Sequence, residues 1–231
     1  MKALVLSSGG IDSTTCLSLA VEKYGKAEVM TLSLFYGQKH TKEVEAARKV
    51  ADYYGVMHLE MNLEKIFEYS DCSLLKHSAK DIPKESYAEQ LKKTEGAPVS
   101  TYVPFRNGLF LSTAASVALS KGCEVIYYGA HSDDAAGSAY PDCSEEFHKA
   151  ISEAIYLGSG NVLKVEAPFI SMSKADVVRL GLERKAPYEL TWSCYEGGKR
   201  PCGKCGTCID RKNAFRQNGV SDPAENPVNS K

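Results

Sequence analysis

Apolar residues fall along this chain in two alternating patterns. Runs of strand length without clean alternation occupy residues 2–7 and 29–36, and weaker runs of the same kind cover 56–61, 124–129 and 162–167. They predict parallel strands covered on both faces, because a strand with one solvated face would alternate apolar and polar positions. Between them, apolar residues return at helical spacing: Leu17, Ala20, Val21 and Tyr24; Val44, Ala47, Val50 and Tyr54; Phe110, Ala114, Val117 and Ala118; Phe147, Ile151, Ala154 and Ile155. That period predicts helices with one buried stripe. Strand and helix in alternation imply an α/β fold of Rossmann-like type. Such a fold is a doubly wound, mostly parallel sheet with right-handed crossovers and a ligand crevice at the carboxyl ends of the strands.

Two stretches break the pattern. Residues 62–100 form a charged insertion without a strong apolar period, in which Glu89 and Lys93 could pair on a short helix. An insertion of this kind above a sheet is either a lid or disordered. Residues 219–231 are expected to be a flexible tail, since Val228 is the single large apolar residue from Ser221 onward. The 231 residues suit one α/β body over 1–192, with a cysteine-rich segment and helix over 193–218 as a small appendage.

A formal net charge of -1 and a pI near 6.5 give no bulk attraction to nucleic acid or anionic membranes. The N-terminus lacks the apolar length and small-residue cleavage site of a signal peptide, and no apolar run is long enough to span a bilayer. A cytoplasmic protein is expected. Of the eight cysteines, Cys16, Cys72, Cys123 and Cys143 are scattered, while four crowd into residues 194–208, which favours metal over disulfides in such a chain.

The first strand delivers the chain to Ser8-Gly9-Gly10-Ile11-Asp12-Ser13-Thr14, where a helix begins. Paired glycines let backbone N–H groups approach an oxyanion, and a helix N-terminus adds positive potential. Ser8, Ser13 and Thr14 can donate hydroxyl hydrogen bonds, and Asp12 can position Mg²⁺ or water. A plain Gly-Gly turn capped by Asp12 or Ser13 is the bland alternative. The complete motif directly after a strand favours phosphate binding, although it has neither the lysine of a Walker A loop nor three-glycine dinucleotide spacing.

Cys194, Cys202, Cys205 and Cys208, with glycines between them, suit tetrahedral Zn²⁺ in a closed structural site. A Cys-x-x-Cys redox pair and an iron–sulfur cluster use the same residue type and remain open. Tyr36-Gly37-Gln38, Arg106-Asn107 and Asp142-Cys143 each lie where a crevice would collect functional groups. Taken singly they also read as a turn, a solvated arginine with a helix-capping Asn107, and a proline turn with a buried thiol. Ser173-Lys174-Ala175-Asp176 fits a capping box, with Lys174 able to face a polyphosphate.

The glycine loop resembles the PP-loop of adenine nucleotide α-hydrolase-like ATP pyrophosphatases. With the cysteine set and the strand-end segments, nearly the whole chain through Cys208 resembles the 7-cyano-7-deazaguanine synthase family of queuosine precursor biosynthesis. The resemblance implies a ligase that activates 7-carboxy-7-deazaguanine with ATP and Mg²⁺, captures ammonia as an amide, and dehydrates the amide to a nitrile. It implies ATP held by Ser8, Gly9, Gly10, Ile11, Asp12, Ser13 and Thr14, with catalytic roles for Asp12, Ser13 and Lys174. It places Tyr36, Gln38, Arg106, Asn107 and Asp142 around the deazapurine, and suggests a homodimer without direct nucleic-acid contact. Phe105 departs from the family pattern, which more often has glycine before Arg-Asn and so bears on pocket shape, and the gap between Cys194 and Cys202 is shorter than expected. The competing readings are a tRNA-thiolating PP-loop enzyme and a non-catalytic zinc-ribbon nucleic-acid module.

Overall fold

The computed structural model describes residues 1–94 and 97–224. A parallel sheet of five strands, ordered β3-β2-β1-β4-β5, forms its centre. In chain order these are β1 Ala3–Leu6, β2 Val29–Phe35, β3 Met57–Asn62, β4 Val125–Tyr127 and β5 Lys164–Glu166. Each falls inside or within a residue of a predicted run. β1 and β2 are buried along almost their whole length, while β3 at the sheet edge is largely exposed. That difference explains why its apolar signal is weaker.

The helices are α1 Ile11–Tyr24, α2 Lys42–Tyr54, α3 Tyr87–Thr94, α4 Arg106–Ser120, α5 Ser132–Ala135 and α6 Glu145–Gly158, which lie in the connections between strands, and α7 Lys174–Glu183 and α8 Gly206–Gln217, which follow β5. Two apolar cores sandwich the sheet. One packs Leu4, Leu32 and Ile126 against Leu111 and Ala114 of α4 and Ile155 of α6; the other packs Val5 and Val29 against Leu17 of α1, Val177 of α7 and Phe215 of α8. Burial of these side chains, at roughly 25 cal/mol per Å² of apolar surface, drives the layers together. Chain order reverses beside β1, which pairs with both β2 and β4, and the crevice opens there at the strand ends.

The described part of the insertion packs against the body through its first half. Phe67, Cys72, Leu74, Leu75 and Ile82 form a third apolar cluster with Tyr36, Val103 and the cysteine segment. Its helix α3 does not use the expected pair: Lys93 bonds Glu85 at 2.5 Å, while Glu89 accepts from Ser86 N and Oγ at 3.0 and 2.7 Å. Glu89 closes the first turn of the helix in place of pairing with Lys93. The tail expected over 219–231 also departs from expectation where it is described. Asp222 is buried and binds Arg211 through both carboxylate oxygens, at 2.7 and 2.9 Å. The rest of that stretch, 225–231, lies outside the described residues.

Candidate functional site

Chain reversal at β1 gathers the loops after β1, β2 and β4 around a cavity of about 240 Å³. At its phosphate-loop end lie Ser8, Gly10, Asp12 and Ser13. The loop is held by its own hydroxyls: Ser13 Oγ accepts from Ser8 N at 3.2 Å, and Gly10 N donates to Ser8 Oγ at 3.4 Å. Gly10 caps α1 without a side-chain hydrogen bond, so the first N–H groups of the helix stay available to an anion. Gly9 does not line the cavity. At φ 77° its Cβ position would lie 2.2 Å from the Glu43 carbonyl oxygen, so glycine there lets the loop cross α2 in contact with its backbone. Ile11 and Thr14 are likewise buried beneath the loop, and Thr14 Oγ1 has no partner among the described residues.

Lys174 reaches the loop from α7. Its Nζ lies 2.5 Å from Asp12 Oδ2, and the capping box between Ser173 and Asp176 that starts α7 is also present. Structural and functional readings of that segment therefore coexist. Burial alone would raise the Asp12 carboxyl, but the neighbouring ammonium of Lys174 and its hydrogen bond outweigh it and hold the group below the ordinary range. Asp12 Oδ1 has no hydrogen-bond partner among the described residues, which leaves it free to ligate a hard cation.

The aromatic end of the cavity carries Tyr36, Gln38, Arg106, Asn107 and Phe110. The Arg106 guanidinium stands 5.3 Å from the Tyr36 ring and 5.9 Å from Phe110, so it is enclosed between aromatic faces rather than solvated. Asn107 is not the cap of α4. Phe105 holds that place, and Asn107 Nδ2 instead donates to the Asp142 carbonyl at 3.1 Å. Asp142 stands outside the cavity wall, buried, with Oδ2 accepting from Asn107 N at 2.8 Å. Gln38 is buried in the wall, its carbonyl accepting from Tyr36 N at 2.9 Å. Phe105 has φ 55°, a left-handed conformation that glycine adopts at less cost. Its ring packs over Gly108 and against Phe147, away from the cavity, so this departure leaves the pocket shape alone.

Several cavity residues escape the sequence reading. Glu43 on the first turn of α2 reads in sequence as an acid favoured by the helix dipole, yet burial pushes its carboxyl up to about 7. His131 and Asp134, on the segment after β4, are 3.3 Å apart. The signal for that segment in sequence is its place after a strand, where ligands gather. Asp210 on α8 is pushed up to about 6 by burial, with Asp134 and Asp133 acting in the same direction against Lys174. Trp192, Ser193 and Tyr195, leading into the cysteine segment, complete the wall.

The sulfurs of Cys194, Cys202, Cys205 and Cys208 all lie within 4.8 Å of one another. A tetrahedral ion with bonds of about 2.3 Å sets its sulfurs roughly 3.8 Å apart, so the set fits a single metal. Backbone N–H groups of Glu196 and Cys202 point at Cys194 Sγ, and those of Lys204 and Cys205 at Cys202 Sγ, at 3.3–3.4 Å. Donors of this kind stabilise thiolate ligands. Tyr195 joins this knuckle to the insertion through a 2.8 Å hydrogen bond with Tyr87, and Glu196 does so by an ion pair with Lys84. Among the described residues, no helix is long and apolar enough to cross a membrane.

Solved structures with this fold include the U34-tRNA thiolase NcsA from Methanococcus maripaludis with its [4Fe-4S] cluster. It has a TM-score of 0.51 and 17% identity, covering 94% of this chain and 67% of that one. NMN synthetase from Francisella tularensis gives 0.52 and 15%, covering 99% and 82%. At such identities the likeness concerns the fold alone. Curated relatives are much nearer. 7-Cyano-7-deazaguanine synthase from Archaeoglobus fulgidus is 47% identical over 224 residues, covering 96% of this chain and 89% of that protein. The synthase from Oceanobacillus iheyensis is 42% identical over 225 residues, covering 96% of each. A family model described as queuosine biosynthesis protein QueC matches residues 2–219, and the chain belongs to that family.

Proposed function

We propose that this chain is a 7-cyano-7-deazaguanine synthase acting as an ATP-dependent carbon–nitrogen ligase. One observation carries the reading. The Asp12–Lys174 pair on a phosphate loop and the Arg106 guanidinium enclosed by Tyr36 and Phe110 face one cavity. A triphosphate and a planar anion can therefore meet there.

In this reading the N–H groups at the start of α1, with Ser8 and Ser13, grip the pyrophosphate half of ATP. Lys174 offsets charge that develops as a carboxylate oxygen of 7-carboxy-7-deazaguanine attacks the α-phosphorus and pyrophosphate leaves. Ammonia then adds to the acyl carbon, AMP departs and one proton is released, giving the amide. In a second activation the amide oxygen attacks the α-phosphorus of another ATP and pyrophosphate leaves; loss of AMP together with both amide N–H protons then leaves the nitrile. Asp12, through its free Oδ1, would hold Mg²⁺, which neutralises phosphate charge.

Zn²⁺ on Cys194, Cys202, Cys205 and Cys208 is structural in this reading, since an iron–sulfur cluster places several atoms between its cysteine sulfurs and needs them farther apart than 4.8 Å. Of the residues expected around the deazapurine, Tyr36, Gln38, Arg106 and Asn107 line the cavity, and Asp142 acts from behind by positioning Asn107. Residues 62–100 serve as a lid through Tyr87, and the enzyme works as a cytoplasmic homodimer on small molecules. Incubation with ATP, Mg²⁺, ammonia and the acid should yield pyrophosphate, AMP and a product of nitrile mass. Absence of ATP turnover with this acid, or iron or persulfide on Cys205, would reject the assignment.

A further inference from the structure

A guanine-like ring presents two adjacent donors, N1–H and the 2-amino group, and a carboxylate is the side chain able to accept both at once. The cavity wall holds four carboxylates among the described residues: Asp12, Glu43, Asp134 and Asp210. Three belong to the phosphate end. Asp12 is bound to Lys174, Asp134 stands 3.3 Å from His131, and Asp210 has Lys174, Asp134 and His131 as its charged neighbours. Asp142 takes Asn107 N and lies outside the wall.

Glu43 lines the same cavity as Arg106 and Tyr36, and Arg106 is the opposing charge that acts on it. Its carboxylate has no hydrogen-bond or ion-pair partner among the described residues. Its place is fixed from below, because the Glu43 carbonyl is the backbone atom that Gly9 crosses in close contact. Glu43 therefore sits on the same turn that seats the phosphate loop.

Resting on the proposed synthase activity, we propose that Glu43 is a specificity-determining residue whose two carboxylate oxygens accept hydrogen bonds from N1–H and the 2-amino group of the substrate. A site built to pair a polar group rejects an analogue lacking it far more strongly than an apolar pocket rejects a missing methylene.

The test compares 7-carboxy-7-deazaguanine with its 2-deamino counterpart, in the wild-type protein and in Glu43→Gln. Wild type should favour the 2-amino acid by roughly 10²-fold or more in kcat/KM. In Glu43→Gln the preference should collapse to within a few-fold, through a raised KM for the acid with the KM for ATP unchanged. A preference that survives in Glu43→Gln, or an equal loss with both acids, overturns the assignment. Should that variant not fold, wild type alone decides: an N1-methylated acid must also be rejected, and its acceptance overturns the proposal. If wild type turns over neither acid, the synthase reading itself fails and this inference falls with it.

Discussion

Lys174 Nζ sits 2.5 Å from Asp12 Oδ2 and 3.4 Å from His131 Nε2, so the first residue of α7 ties the phosphate loop to the segment after β4. The ammonium is held at the loop before any nucleotide arrives. A preorganised cation of this kind is worth more than one that must be recruited, since no reorganisation is needed as charge develops. Lys174→Met should therefore lower pyrophosphate release by about 10²- to 10³-fold, the usual cost of one such group, while the Ser173–Asp176 capping box keeps α7 intact. An unchanged rate would remove Lys174 from the reaction.

Gly9 lies under the loop, and its constraint is backbone against backbone. A methyl group there meets the Glu43 carbonyl oxygen at 2.2 Å and Ala47 N at 2.7 Å, neither of which can swing aside. Gly9→Ala must lift the loop off α2 and misdirect the N–H groups above it. The expected outcome is loss of detectable ATP binding in calorimetry, with the cysteine knuckle and overall helicity retained. Near-normal ATP affinity would mean that the loop tolerates displacement.

How far this site can be read from the residues depends on the reach of each signal. The strands announce themselves because burial on both faces leaves continuous apolar runs, and the capping box at Ser173 is local chemistry. Phosphate loop and cysteine set are contiguous motifs. Glu43 and Asp210 are different: in sequence each is an acid on a helix, and only the packing of α2 and α8 against the crevice shows that they face a cavity. The same limit hides Asp222. Composition predicts solvation for a polar, proline-containing terminus, whereas a tertiary partner captures it.

That partner is Arg211, 3% exposed, whose guanidinium also donates to Thr191 Oγ1 at 2.8 Å and the Tyr188 carbonyl at 3.2 Å. Deleting one side of a buried pair leaves an uncompensated charge, at a cost of about 3–5 kcal/mol. Asp222→Ala, or a chain ended after residue 220, should move the urea midpoint down accordingly. A shift under about 0.5 kcal/mol, typical of a surface substitution, would restore the picture of a free tail.

Acid sensitivity should come partly from two histidines. Burial lowers both His58, whose Nδ1 meets Thr31 Oγ1 at 2.8 Å, and His148, whose Nδ1 meets Tyr128 OH and Ser152 Oγ at 3.2 Å, from the ordinary value of 6.5. Below about pH 6.5 the unfolded chain takes up these protons before the folded one does. Stability therefore falls as the pH drops through that value, and levels off once the folded groups protonate. Glu43 and Asp210, raised by burial, act oppositely, so the difference between proteins is the informative quantity. His148→Gln should show a smaller loss of urea midpoint between pH 7.5 and 5.5 than wild type, and parallel profiles would exclude the effect.

The cysteine knuckle carries a larger share of stability than its size suggests. Its ligands bracket Tyr195, whose hydroxyl meets Tyr87 of the insertion, and Trp192 just before Cys194 lies in the cavity wall, with its N donating to the Gly9 carbonyl at 2.9 Å. The cysteine segment is therefore tied to the phosphate loop on one side and to the insertion on the other, and a metal bound there would be coupled to both. Four thiolates drawn together without a cation repel one another, so metal removal should open the segment rather than leave it empty in place. Strong chelation, or Cys205→Ser, should release one zinc per chain and destabilise the fold by several kcal/mol, with ATP affinity falling in parallel. Protein that loses its zinc yet keeps its melting temperature and nucleotide binding would show that the knuckle is peripheral to the loop. Retained metal after Cys205→Ser would show that three sulfurs suffice.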